Sequence, residues 1–369
     1  MENSLTITMP FDSHVHGRQG DMLNCVAPMT AGQYAGAIFE PNLNTPVTTF
    51  ELARAYHEEI RQACRRTSTF KPYTLLYLTD DSDPDDIFNA IKSGICLGVK
   101  FYPQHATTNS SHGIGDASTL YTPGTKQFEC IQAVHSADGV VQLHCELNFT
   151  LDHKPLELDP YDKEAYFFER VMPELIAQHA DTKFSCEHLT TSEGADFIRR
   201  HCGEYLGCSI TPHHLLLDRR DVFRGGIHPH FHCLPPVKRE KHRQALVDLL
   251  KAGFASVYAG TDSAPHDRDK KESDCCSGGV FTAHNSVEAY AQVFENEGIL
   301  DWRFEPFMAI HGPQFYGVDV SERTITLVRA PWKVNGLVRY SNDPCDTIWP
   351  FGFEKDETKR PVFQWKLAT

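Results

Sequence analysis

With 369 residues, 41% apolar and 23% charged, the chain is long enough for one large barrel or two ordinary domains and has the composition of a folded, water-soluble protein. Its formal charge of -14 and its lack of a long basic run argue against nucleic-acid binding, although a local arginine can still hold a small anion. No apolar stretch reaches the roughly 20 residues of a membrane span, and Met1-Glu2-Asn3-Ser4-Leu5 lacks a signal-peptide pattern, so no membrane association and a cytoplasmic location are expected.

In chain order, short runs rich in β-branched, aromatic and small apolar residues fall at about 10–17, 35–41, 72–79, 96–103, 139–146, 182–188, 205–212 and 255–262. Between them, 48–66, 84–94, 125–138, 163–180, 191–202 and 238–252 carry apolar residues at helical spacing. Strands alternating with helices predict a parallel sheet, and eight units predict an α/β fold, a closed (β/α)8 TIM barrel rather than an open doubly wound sheet. No repeat or linker interrupts residues 1–369, which read as one domain with a C-terminal extension from about 318. The 12 scattered cysteines read as reduced thiols, with Cys275-Cys276 as two loop cysteines, because adjacent residues rarely reach disulfide geometry.

The chemistry is concentrated at the predicted strand ends. His14 and His16 end the first strand, Lys100 the fourth, His144 the fifth, His188 the sixth and Asp262 the eighth. A barrel of this type builds its site from the C-terminal ends of its strands, so all six converge at one rim. Residues two apart on a strand share a face, which sends both imidazoles of His14-Val15-His16 into the barrel mouth. An H-x-H pair alone is weak evidence for a metal. Its weight comes from the further ligands recurring at later strand ends. Lys100, within Leu97-Gly98-Val99-Lys100-Phe101-Tyr102, is costly to bury as an ammonium ion. Two solutions stay open: a neutral amine that takes up carbon dioxide as a carbamate bridging two cations, or an ion pair with a nearby carboxylate.

These residues lie in longer blocks: Pro41-Asn42-Leu43 with Pro46-Val47-Thr48-Thr49, Lys100-Phe101-Tyr102-Pro103, Ala106-Thr107-Thr108-Asn109-Ser110-Ser111-His112-Gly113, Glu187-His188-Leu189-Thr190-Thr191, Gly260-Thr261-Asp262-Ser263-Ala264-Pro265-His266, and Gly312-Pro313-Gln314-Phe315-Tyr316-Gly317. Through them most of the chain resembles the single-domain dihydroorotases of the amidohydrolase superfamily. The resemblance implies a metal-dependent hydrolase barrel with two Zn2+ per subunit, His14, His16 and Asp262 on one and His144 and His188 on the other, bridged by N6-carboxylated Lys100. It implies that Arg18, Asn42 and His266 bind the substrate carboxylate, that backbone near Leu234 and Gly278 contacts the ring, and that the Thr107-Thr108 loop closes as a lid. The implied reaction is the reversible cyclisation of N-carbamoyl-L-aspartate to L-dihydroorotate in pyrimidine biosynthesis, by a homodimer acting on a small molecule. The planar fork of Arg18, two residues past His16, independently suits a carboxylate. Two cations roughly 3.5–4 Å apart acidify a water and polarise an amide, with Asp262 as the candidate proton shuttle.

Some positions depart from the family pattern. Gly17 stands where a larger apolar residue is common, Gln19 where an acidic one is, Glu40 where an apolar one is, and 147–161 is longer. Gly17 is expected to loosen Arg18. Among the remaining histidines, His105, His112, His213, His214, His228, His230 and His232 read as loop or rim residues, with a neutral hydrogen-bonding role for His213. Another cyclic-amide or lactone hydrolase is the alternative function. A catalytically dead homologue is disfavoured by the complete ligand set.

Overall fold

The computed structural model describes residues 3–67, 69–152 and 154–368. After an outlying strand β1 (Ser4–Thr8), the chain lays down β2 (Phe11–Val15), β3 (Gly36–Phe39), β4 (Lys71–Tyr77), β5 (Cys96–Phe101), β6 (Val140–Leu143), β7 (Lys183–Cys186), β8 (Leu206–Ile210) and β9 (Val257–Ala259). These last eight pair in parallel in sequence order, one for each predicted strand. Strands such as β2, β6 and β8 are buried at every position, as expected where helices cover a parallel sheet.

The seam between β2 and β9 is joined just past the strand ends, where Val15 bridges Ser263 and the amide of Asp262 donates to the carbonyl of His14 at 2.8 Å. Closure therefore occurs within the residues that were expected to hold metal. At the opposite end the barrel is filled by Phe11, Ile38, Leu75, Val140 and Tyr258, with Phe315 and Tyr316 inserted from the helix His311–Tyr316.

The helices around the barrel begin where side chains can satisfy free backbone N–H groups. Thr49, Asp83, Thr125 and Thr191 accept such bonds ahead of Phe50–Ala63, Pro84–Lys92, Lys126–Ser136 and Ser192–His201. The predicted helix over 163–180 is two, Lys163–Arg170 and Met172–Gln178, broken at Val171 because Pro173 starts a new first turn more readily than it continues an old one. Helix Gly20–Gln33 carries Pro28 and little apolar periodicity, and Ser286–Asn296 is buried on nearly all sides, which is why neither stands out in the sequence.

The segment from about 318 folds back onto the start of the chain. Strand β10 (Thr324–Trp332) pairs antiparallel with β1 on one edge and β13 (Phe363–Leu367) on the other. A short ladder of β11 (Val338–Arg339) and β12 (Thr347–Ile348) touches the rim through the bridge Asp267–Ile348. Among the described residues, no helix is long and apolar enough to cross a membrane.

Candidate active site

The six strand-end residues meet at the C-terminal rim. Ligand atoms of His14, His16 and Asp262 lie within 4.8 Å of one another, with Asp262 Oδ1 at 3.1 Å from His16 Nε2 and 3.5 Å from His14 Nε2. A second group faces them: His144 Nδ1 and His188 Nε2 are 3.1 Å apart, and the rings of His14 and His188 are 5.1 Å apart between centroids. Lys100 is fully buried between the groups, with its ammonium 5.2 Å from the Tyr102 ring centroid.

Burial, reinforced by the Lys100 charge, holds His14 and His188 well below the usual histidine range, and burial with Arg18 does the same for His16. Neutral imidazole is the form that binds metal. Burial also raises Asp262 to about 6. Among the described residues, His14 Nε2, His16 Nδ1, His188 Nδ1 and Lys100 Nζ are buried without a hydrogen-bond partner. Native interiors rarely leave such groups unsatisfied, and cations in the cleft would use several of these lone pairs. The donor set therefore fits a metal.

Carboxylates orient these ligands from behind. Glu187 meets His14 Nδ1 at 2.9 Å and Glu146 meets His144 Nε2 at 2.8 Å, leaving the other ring nitrogen of each directed into the cleft. Asp12 accepts from the amide and hydroxyl of Thr261, 2.8 and 2.6 Å, and so holds the turn that presents Asp262. Glu164 accepts from the amides and hydroxyls of Thr190 and Thr191 and holds the turn after His188. His188 and Asp262 sit at φ 41° and 43°, left-handed conformations that cost a non-glycine residue about 1–3 kcal/mol each. Sequence reasoning missed these four carboxylates. The only available signal was their place within two residues of a predicted ligand for three of them, and Glu164 offers none.

Glu40, noted above only as a departure from pattern, belongs to the site. It accepts from Tyr102 Oη at 2.8 Å and stands 3.3 Å from His14 Nδ1 and 3.5 Å from Lys100 Nζ. Burial pushes its carboxyl up to about 8. The second solution foreseen for Lys100, a neighbouring carboxylate, thus has a named residue.

Beside these rim residues, Arg18 Nε donates to the Pro265 carbonyl at 3.0 Å and Nη2 lies 3.0 Å from His266 Nε2. The same ring nitrogen is 2.9 Å from the carbonyl of Gly278. It serves one of these neighbours at a time, so Arg18 keeps a donor free for an anion. A Cβ at Gly17 would lie 2.7 Å from Phe39 Cδ1, so the ring of Phe39 takes the room that a larger residue would need. Asn42 Nδ2 donates to the Thr108 carbonyl at 2.9 Å, and Thr108 Oγ1 reaches the Gly278 carbonyl at 3.5 Å, which docks the loop bearing Thr107 and Thr108 on the rim. A Cβ at Gly278 would lie 2.8 Å from Leu234 Cγ, so these two residues pack at van der Waals contact only because one is glycine.

All twelve cysteines are free, and Cys275 and Cys345 are exposed. The stretch 147–161 forms a small antiparallel bridge, Phe149 to Glu157, apart from residue 153, which lies outside the described residues. His213 is neutral through burial, but among the described residues neither of its ring nitrogens has the hydrogen-bond partner expected.

A parallel (β/α)8 barrel with buried histidines, a lysine and an aspartate at its C-terminal rim defines an amidohydrolase-type enzyme. No protein-family model matches the chain. It is 40% identical to a dihydroorotase of Erwinia tasmaniensis over 347 residues, 94% of this chain and 95% of that protein. Its structure is similar to that of dihydroorotase from Campylobacter jejuni, with a TM-score of 0.83, 26% identity, and 100% and 98% of the two chains covered. It also shares the fold of Saccharomyces cerevisiae dihydroorotase solved with 5-fluoroorotic acid, with a TM-score of 0.86, 24% identity, and 100% and 99% covered. The chain belongs to the dihydroorotase family and is a cyclic amidohydrolase. Family and fold together imply a metal cofactor.

Proposed function

We propose that this enzyme interconverts N-carbamoyl-L-aspartate and L-dihydroorotate in pyrimidine biosynthesis, as a cytoplasmic homodimer with two zinc ions per subunit. The observation that carries the reading is the juxtaposition of two ligand groups, His14, His16, Asp262 and His144, His188, with a free guanidinium donor on Arg18. Lys100, buried and without a hydrogen-bond partner among the described residues, would help hold the ions as its N6-carboxylated form. Bound there, two zinc ions supply Lewis-acid polarisation of the ring amide and a water of lowered pKa.

The chain's own groups do the rest. Arg18, Asn42 and His266 bind the substrate carboxylate and set the ring's orientation, the guanidinium supplying a charge-assisted bond. Backbone at Leu234 and Gly278 lines the ring. Asp262 takes the proton from the attacking water and gives it to the leaving ring nitrogen, and the same path in reverse closes the ring. Thr107 and Thr108 lower the local water content by closing the loop over the cleft.

The test is turnover of purified, zinc-loaded protein with dihydroorotate, hydantoins and lactones in parallel. Dihydroorotate is expected to be the strongly preferred substrate. Hydrolysis of hydantoins or lactones alone would overturn the substrate assignment, and light scattering at one chain's mass would overturn the dimer.

A further inference from the structure

Behind the rim, and sharing no residue with the two ligand groups above, His213, His214 and Cys233 place one ring nitrogen each and the thiol sulfur within 4.8 Å of one another. All three are buried, His213 completely. His213 is the unexplained member, because neither ring nitrogen has a hydrogen-bond partner among the described residues. A fully buried imidazole with two idle polar atoms is costly unless something else occupies a lone pair.

From this cluster the geometry points to a third cation site, built from two imidazoles and one thiolate, that takes one zinc-class ion. Imidazole nitrogen and cysteine sulfur are the donors such ions prefer. Bonds of about 2.0 Å to nitrogen and 2.3 Å to sulfur at a tetrahedral angle put the two donor atoms about 3.5 Å apart. His214 Nε2 and Cys233 Sγ stand at 3.5 Å. Binding exchanges weaker partners for the ion. His214 Nε2 gives up the Pro235 carbonyl at 3.0 Å and its proton passes to Nδ1, Cys233 gives up its contact to the same carbonyl at 3.2 Å, and the thiol proton leaves to solvent. His214 Nδ1 then donates to Thr211 Oγ1 at 2.8 Å, which fixes the ring as it would for any histidine ligand. The turn carrying the pair is set by the Thr211 hydroxyl, which caps Pro212–Leu216, so both imidazoles are presented before any ion arrives.

Because the site is buried, it fills while the chain folds, and the test uses protein produced in cobalt-supplemented medium. The rim ligands are nitrogen and oxygen only, so a near-ultraviolet thiolate-to-cobalt charge-transfer absorption reports the thiolate-bearing site alone. The expected result is that this band is present in the wild-type protein and in C275S/C276S/C345S. It is lost, with one cobalt per chain, in Cys233→Ser and in the volume-conserving His213→Gln, while dihydroorotate turnover persists in both. Absence of the band from the wild type, or its survival in either the Cys233 or the His213 variant, would overturn the site. Persistence of turnover separates that failure from a failure of the proposed activity.

Discussion

The two ends of the barrel are made by the same eight strands and obey opposite rules. At the N-terminal end, Phe11, Val140 and Tyr258 close an apolar plug with Phe315 and Tyr316. At the other end those strands, or the residues just past them, deliver His14, His144 and Asp262. The plug leaves few polar atoms to satisfy, and its neighbours pack ring to ring, with Tyr258 and Phe315 5.4 Å apart between centroids. The rim keeps polar atoms buried and idle and holds His188 and Asp262 in strained backbone conformations. Stability is concentrated where the strands begin and reactivity where they end, a division expected when catalytic geometry opposes stability.

The two ends are not fully independent. Tyr316 accepts from Gln142 Nε2 at 2.8 Å and donates to Glu187 at 3.1 Å, and Glu187 in turn meets His14. Gln142, Tyr316, Glu187 and His14 thus form one hydrogen-bonded column from the plug to the rim.

The largest effect at the rim is expected from Asp262→Asn, which should lower kcat by about 10^3-fold with little change in Tm. Near-normal turnover with metal still bound would remove Asp262 as the proton carrier. Phe315→Ala tests the other end, with an expected loss of about 3–4 kcal/mol of stability by denaturant unfolding and kcat within about twofold. A large fall in kcat at full folding would mean that the plug positions the rim directly. For Arg18→Met, kcat/KM for dihydroorotate should fall about 10^2-fold through loss of one charge-assisted contact, with zinc content unchanged by elemental analysis. The smallest effect belongs to Thr108→Ala, where steady-state kinetics should give a KM raised about five- to tenfold. An unchanged KM would show that the loop's main-chain contacts to Asn42 suffice.

Much of this division was legible before folding. Strand and helix periodicity predicts all eight barrel strands and most of the surrounding helices, and the change from apolar to polar at each strand's end predicts which end is reactive. The antiparallel sheet of β1, β10 and β13 was not legible, because its pairing joins Thr6 to Thr326 across nearly the whole chain and no local turn announces it. Glu187 and Glu40 were missed as orienting groups for a related reason. Each looks like an ordinary charged residue until barrel closure sets it against a histidine from another strand.

By itself the sequence determined the element types, the order of the strands and the identity of the rim donors, since each follows from side-chain periods of two or 3.6 residues along a local stretch. Only the tertiary structure decided what those donors meet. Which ring nitrogens stay idle, how far burial moves the histidines and Glu40 and Asp262, and the pairing of Arg18 with His266 all depend on distances between residues far apart in the chain. Desolvation and hydrogen bonding act over a few ångströms, and those distances exist only once the seam between β2 and β9 is joined.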